Sequence, residues 1–283
     1  MHASVVLLVR YGEIALKSTY VRRHLEDQLA ANVRDMFAAN DVECVVKTER
    51  GRLFVYADDE VAALKLLRRV FGIVSISPAK EALAKLETLT TAVVDYARPL
   101  LAAGQTFAIR PRRSGQHPYT SQDLARVLGR AVLGAIPGLT VDLDEPDVEL
   151  NVEVRGPRAY VFHEIASGAG GLPLGSQGTV LAIADDEPGM VATWLVMRRG
   201  CRARVSGRDP FLATLRGWDP RLATLDQMPV AVLVRLAAEK GEPVVLPTLD
   251  FAASEGETPF VLRPLAGFSR DELTNLTRRI RER

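Results

Sequence analysis

Residues 106–125 read Thr-Phe-Ala-Ile-Arg-Pro-Arg-Arg-Ser-Gly-Gln-His-Pro-Tyr-Thr-Ser-Gln-Asp-Leu-Ala. Thr106–Ile109 alternates and is rich in β-formers, which predicts a short strand. Arg110, Arg112 and Arg113 follow around Pro111, whose fixed φ keeps the exit extended. Ser114-Gly115 and His117-Pro118 predict a tight turn, and Ser121 is the expected N-cap of a helix starting at Gln122. Three guanidiniums, His117, Tyr119 and the hydroxyls of Ser114, Thr120 and Ser121 thus gather beside a helix N-terminus, with Arg126 one turn in. Such a collection suits phosphate. An Arg-Pro-Arg-Arg run on its own also reads as a solvated turn, so these residues alone do not fix a function.

The flanks supply the rest of a domain. Leu86–Leu101 has Leu86, Leu89, Val93, Tyr96 and Leu100 at helical spacing, with Gly104 as its stop. Gln122–Leu133 continues as a second helix. Val148–Val154 alternates strictly, predicting a half-exposed strand, and Arg155-Gly-Pro-Arg158 turns it into a partner, Ala159–Phe162. His163 and Glu164 lack the Pro-Cys-x-x-Cys segment of a zinc deaminase, so His163 reads as a structural histidine at a strand end.

Upstream, Ser4–Arg10 reads as a buried strand, and Tyr20–Phe37 sets Val21, Leu25, Leu29, Val33 and Phe37 four apart on a helix. Val42–Lys47 and Leu53–Ala57 are strands joined through Glu49-Arg-Gly-Arg52. Asp58 is placed to cap a second helix, and Ile73–Ser77 closes with a fourth strand. The order βαββαβ is ferredoxin-like.

The chain has 283 residues, enough for two or so domains, with 47% hydrophobic and 25% charged residues. That composition belongs to a globular protein and argues against disorder. Its 36 Lys+Arg nearly cancel 35 Asp+Glu, so any nucleic-acid signal must be local. Only Cys44 and Cys201 occur, far apart, which argues against a disulfide framework or a zinc site and for a reducing compartment. The N-terminus goes straight into a strand without a leader, and no apolar run is long enough to span a bilayer. A cytoplasmic protein without membrane contact is expected.

The run Phe107–Arg126 resembles the core of a THUMP domain, in particular that of the tRNA sulfurtransferases that make 4-thiouridine. Leu8-Val-Arg-Tyr-Gly-Glu-Ile-Ala-Leu-Lys-Ser18 resembles the opening of the same enzymes. Val70-Phe-Gly-Ile-Val-Ser-Ile-Ser-Pro-Ala79 resembles the end of their ferredoxin-like domain, and Val141–Asp147 and Ala159–Glu164 match as well. The resemblance implies binding of the tRNA acceptor end by Arg110, Arg112, Arg113, Ser114, His117, Tyr119, Thr120, Ser121 and Arg126. Lys17 and Lys80 read either as solvated charges or as further contacts to the RNA backbone. Tyr119 either packs against its own loop or, like His117, stacks on an unpaired base.

Gly168–Gly178 is a glycine-rich joint that resembles the family's linker into its catalytic domain. Thr179–Ala184 is then a buried strand and Gly189–Arg199 a helix. In the family a Ser-Gly-Gly-x-Asp-Ser pyrophosphatase (PP) loop joins the two and binds nucleotide phosphates. Here the joint is Ala184-Asp-Asp-Glu-Pro-Gly189, which lacks those glycines and sets acids where a triphosphate would sit. Like charges about 4 Å apart cost roughly 4 kcal/mol per pair at an effective dielectric of about 20. Ile183, Ala184 and Arg263 mark where a vestigial nucleotide contact would fall. Leu246–Glu257 does not match the family's Thr-Gly-Glu and Gln-Val motif. The family's sulfur-carrying cysteine lies beyond the last helix, whereas this sequence stops at Arg283, and Cys201 matches a structural Arg-Gly-Cys. ATP and Mg are the family's cofactors; neither is expected here, nor a metal site, and Asp185, Asp186 and Glu187 read as a solvated helix cap.

The expected fold class is α/β with an α+β N-terminal part. Residues 1–77 would be ferredoxin-like, 78–167 the THUMP domain (with a start near Val61 as the other boundary), and 168–178 a linker. Residues 179–283 would be a shortened Rossmann-like domain of PP-loop type. The expected function is a non-catalytic tRNA-binding member of the 4-thiouridine family that presents the acceptor end to a separate catalytic sulfurtransferase or sulfur carrier. Two alternatives stay open: an active ATP-dependent sulfurtransferase with a divergent site or a partner's cysteine, and a homodimerising structural or regulatory subunit that touches no RNA.

Overall fold

The computed structural model describes residues 5–49, 51–249 and 259–282. Arg50 of the expected hairpin turn, and residues 250–257 of the stretch that fails to match the Thr-Gly-Glu motif, lie outside the described residues. In chain order, β1 (Val5–Tyr11) leads through a 3-10 turn (Glu13–Leu16) to α1 (Thr19–Ala38), β2 (Val45–Glu49), β3 (Arg52–Ala57), α2 (Glu60–Leu67) and β4 (Ile73–Leu83). Next come α3 (Leu86–Ala97), β5 (Thr106–Ser114), α4 (Ser121–Ala135), β6 (Thr140–Val141), β7 (Val148–Arg155) and β8 (Arg158–Phe162). The remainder holds β9 (Ala166–Ser167), β10 (Thr179–Ala184), α5 (Glu187–Arg198), β11 (Arg202–Gly207), α6 (Asp209–Arg216) and β12 (Ala223–Leu225). Finally come α7 (Val230–Lys240), β13 (Val244–Val245), β14 (Val261–Leu262) and α8 (Arg270–Glu282).

Two compact units result: Ser77–Ile165 with the start of the chain up to Leu8, and Val9–Ile76 with Ala166–Arg283. In the first, the strands lie in the order β4-β8-β7-β5-β6. β5 runs parallel to β7 and β6, whereas β8 is antiparallel to both of its neighbours. Helices α3 and α4 cover one face. Leu89, Val93 and Ala97 from α3 and Leu124, Leu128 and Val132 from α4 close over Phe107, Ile109, Leu150, Val152, Val154 and Val161. These are the alternate residues of each strand, as a sheet with one covered face requires. His163, just past β8, meets the Tyr96 hydroxyl through Nδ1 at 2.8 Å.

In the second unit, the ferredoxin-like segment has strand order β2-β3-β1-β4, with β9 on β4. The C-terminal segment is a parallel sheet, β12-β11-β10-β13-β14. The two segments share one core through Phe71, which stacks on Trp218 at 5.2 Å and meets Trp194 edge-on at 5.5 Å. Asn32 Nδ2 donates to the Leu174 carbonyl at 3.0 Å across the same join. The glycine run earns its composition at close quarters. Gly168 N and Gly170 N donate to Val74 and Ile73 carbonyls at 2.8 and 2.7 Å, and a Cβ on Gly168 would lie 2.2 Å from the Ile73 oxygen.

The structure corrects several boundaries. β4 continues to Leu83, and α3 stops at Ala97, short of the Gly104 expected to end it. Asp59 rather than Asp58 caps α2, accepting from Ala62 N at 3.0 Å. Glu153, on the strand expected to be half exposed, is only 7% exposed because Arg155 folds onto it at 2.6 Å.

Candidate nucleic-acid interface

The arginines stand on the strand, not at its exit. β5 extends to Ser114, and all of Phe107–Ser114 is in parallel register with β7, Arg110 opposite Asn151, Arg112 opposite Glu153 and Arg113 opposite Val154. Pro111 sits inside it because β6 covers only Thr106 and Phe107 on the other side. Beyond them β5 is an edge, where a residue without an N–H is tolerated.

Alternation then divides the three guanidiniums. Arg113 is on the face toward α4, where Nε donates to Ser121 Oγ at 3.4 Å and the guanidinium lies 6.0 Å from the Tyr119 ring centre. Arg110 and Arg112 are on the opposite face. Arg110 is held there: Nε donates to Glu149 Oε1 at 2.8 Å and Nη2 to the Leu143 carbonyl at 2.7 Å. The three guanidiniums expected to gather beside the helix start are thus divided between two faces of the strand. Arg112 is exposed and has no ion-pair partner among the described residues. Its register neighbour Glu153 is already taken by Arg155.

The turn behind them is built as a rest for these side chains. Gly115 takes φ of +100°, and Ser114 is exposed, its carbonyl facing His117 Nε2 at 3.3 Å. His117 stacks on Tyr119 with ring centres 5.6 Å apart and planes 19° apart. Tyr119 donates its hydroxyl to the Ala84 carbonyl at 2.7 Å, and burial, opposed by Arg113, pushes that hydroxyl's pKa up. Tyr119 is therefore fixed at both ends, and His117, half-buried, is stacked on it.

The helix start also differs from the expectation. Thr120, not Ser121, is the N-cap, and it forms a capping box with Asp123. Thr120 Oγ accepts from Asp123 N at 3.1 Å, while the Asp123 carboxylate accepts from Thr120 N at 3.0 Å. The bonds from Thr120 hold the Asp123 carboxyl below its usual range, with Arg126 and Arg113 adding to the effect. A carboxylate thus occupies the helix end where phosphate was expected, and Arg126 leans on it at 3.6 Å. The pattern Thr-x-x-Asp signals this cap in the sequence; Glu149, the partner of Arg110, is visible only once β5 and β7 are paired.

Lys80 ion-pairs with Asp95 at 3.7 Å. It lies in register with Val161, which pairs with Val152, which pairs with Pro111. Three strand spacings, roughly 14 Å, therefore separate it from the arginines. Lys17 is exposed and belongs to the other unit.

In the parallel sheet, β10 has β11 on one side and β13 on the other, so the crevice at its C-terminal end is a topological switch point. The turn after Ala184 lies there. Ile183 and Ala184 are buried apolar residues, and Arg263 is half-buried. Asp186 caps α5 by accepting from Gly189 N at 2.8 Å. Asp185 accepts from Gln227 Nε2 at 3.1 Å, and Glu187 pairs with Arg281 at 2.9 Å. Among the described residues no group of three or more His, Cys, Asp or Glu is arranged to hold a metal. Both thiols, Cys44 and Cys201, are half-buried with pKa values pushed up by that burial.

A two-helix layer on a sheet whose strand β5 carries arginines, in a chain that also has a ferredoxin-like segment, defines a THUMP-domain protein. The THUMP domain model matches residues 84–164, and the ThiI ferredoxin-like domain model matches residues 6–77. The probable tRNA sulfurtransferase of Aeropyrum pernix is 34% identical over 331 residues, covering 97% of this chain and 83% of that one. This chain belongs to the tRNA sulfurtransferase family. The probable tRNA sulfurtransferase of Methanothermobacter thermautotrophicus is 40% identical over 205 residues, 70% of this chain but only 51% of that protein. The chain thus spans about half the length of such relatives. PH1313 from Pyrococcus horikoshii superposes with a TM-score of 0.83 at 25% identity, covering 98% of this chain and 99% of that one. A 4-thiouridine synthetase crystallised with RNA and ATP shares the fold at a TM-score of 0.77 and 20% identity, covering 98% of this chain and 85% of that one. No described helix is long and apolar enough to cross a membrane.

Proposed function

We propose that this chain binds tRNA at its acceptor end through the open edge of β5 and supports tRNA thiolation without catalysing it. The observation that carries the reading is Arg112, exposed and without an ion-pair partner among the described residues, next in sequence to an Arg113 braced by Ser121 and Tyr119. The two guanidiniums flank the open edge of β5 from its two faces, so a backbone lying along that edge can meet both, and RNA is read largely through its backbone and shape. His117, stacked on Tyr119, would meet an unpaired base; Arg126, Ser114, Thr120 and Ser121 border the same loop. The non-catalytic part rests on the turn after β10. Its first-turn amide is used by Asp186, and Asp185 and Glu187 add negative charge to the same turn, so the residues present do not fit a triphosphate with Mg. The chain's two cysteines, Cys44 and Cys201, are both half-buried, a setting of structural rather than nucleophilic thiols. Its partner would be a separate catalytic sulfurtransferase or a sulfur carrier.

Filter binding of a tRNA transcript over a salt series tests the binding arm. Arg112→Ala/Arg113→Ala should weaken binding and flatten log K against log salt by about 1 to 2, one phosphate contact contributing about 0.7–0.9. An unchanged slope overturns the site. Pyrophosphate release from ATP in the presence of tRNA tests the other arm: turnover would show an active enzyme and remove the non-catalytic reading.

A further inference from the structure

The ferredoxin-like segment carries a surface that the β5 site does not use. Leu16, at the end of the 3-10 turn, is 88% exposed, and Tyr20, in the first turn of α1, is 85% exposed. Single apolar residues on a surface are ordinary, but an aromatic ring and a leucine bared within five residues are costly company. Glu13, at the start of the 3-10 turn, is paired with Arg199, and the charges from Leu16 through the first turn of α1 are of one sign. Lys17 stands between Leu16 and Tyr20, and Arg23 and His24, three and four residues after Tyr20, share its side of the helix. Lys17 and Arg23 are exposed and have no ion-pair partner among the described residues. Residues 16–25 contain no acid. Glu26 is buried, bonded to the Tyr11 hydroxyl and 3.9 Å from Arg22; the first exposed acid is Asp27, two turns along from Tyr20.

We propose that Tyr20 is a stacking platform for an unpaired base of an RNA strand, with Lys17 and Arg23 holding the phosphates on either side and Leu16 against the sugar. An exposed ring set among unpaired cations is the arrangement by which proteins grip single-stranded nucleic acid: every base has a face for the ring, and the cations follow the backbone. A protein partner would be met by a broader apolar area; here Leu16, Tyr20 and the partly exposed Val21 are interleaved with the cations Lys17 and Arg23. The inference rests on the RNA-binding reading above and adds to it a second contact, on the other unit.

The test uses the full chain with two probes, a tRNA transcript and a blunt RNA duplex without unpaired bases, at two salt concentrations. Tyr20→Ala should weaken tRNA binding at least about fivefold, leave its salt slope unchanged, and leave duplex binding unchanged. Tyr20→Phe should bind tRNA as the parent does, and Lys17→Ala/Arg23→Ala should lower the slope. If Tyr20→Ala stays within twofold of the parent while Arg112→Ala/Arg113→Ala is weakened, this inference fails and the β5 site stands. An equal loss on the duplex, or a Tyr20→Phe loss as large as that of Tyr20→Ala, also overturns the stacking. If neither Tyr20→Ala nor the arginine pair changes binding, both readings fall together.

Discussion

Glu149 restrains an arginine that would otherwise face RNA, so removing its charge should strengthen binding. The carboxylate sits 2.8 Å from Arg110 Nε, with both side chains on the order of half exposed, on the same sheet face as Arg112. An ion pair this open contributes about 0–1 kcal/mol to stability, so Glu149→Gln should leave the melting temperature nearly unchanged. Its effect belongs to binding. Freeing Arg110 for one more phosphate steepens log K against log salt by about 0.7–0.9. Between 50 and 200 mM salt, a fourfold change, one such contact shifts the ratio of variant to parent affinity by about threefold, in favour of the variant at low salt. Filter binding of a tRNA transcript across that range reads the effect, with Glu149→Ala as a second variant that removes the acceptor altogether. A slope equal to or shallower than the parent's in both variants would place Arg110 off the path of the RNA.

Thr120→Ala should cost about 1 kcal/mol in thermal or denaturant unfolding through loss of the cap. Asp123 has a lowered folded pKa, so its contribution is complete above the ordinary carboxylate range and fades as pH falls through the lowered value; Asp123→Asn should remove that part of the pH profile. Burial raises the pKa of Asp219 despite Arg202 at 3.2 Å, so this group's contribution declines as pH rises from the ordinary value through the raised one. Asp219→Asn should flatten that decline in a pH series of unfolding curves. Gly168→Ala should sharply lower the melting temperature or abolish soluble expression, since a Cβ there meets the Ile73 oxygen at 2.2 Å. Gly134→Ala, in α4 with nothing within 4 Å of the new Cβ, should instead stabilise by about 0.5–1 kcal/mol.

The periodic parts of the fold were legible because period and burial coincide. Leu25, Leu29, Val33 and Phe37 are buried on α1 where their spacing puts them, and Thr179–Ala184 is the buried strand the apolar run predicts. What local reading missed depends on partners far along the chain. β5 looked four residues long because Arg110–Arg113 and Pro111 are poor strand formers, yet pairing with β7 carries it to Ser114. β11, α6 and β12, in a stretch of Arg, Asp, Pro and Gly, are held by β10 and by the core around Trp218, which short-range pattern does not reveal. The same holds for the site. The residue types that meet phosphate were visible in one run, but strand alternation sorts Arg110 from Arg113, and Glu149, forty residues on, decides that Arg110 is held. Tyr20 was passed over because its role follows from exposure, which sequence alone does not supply.

The most direct measurement is a map of RNA contacts from the loop itself. A photo-crosslinking residue in place of Gln116, exposed between Gly115 and His117, leaves every arginine intact. Irradiation with a tRNA transcript should give crosslinks concentrated in the acceptor end, lost on Arg112→Ala/Arg113→Ala. Crosslinks confined to another part of the tRNA, or crosslinks that survive loss of both arginines, would contradict the account.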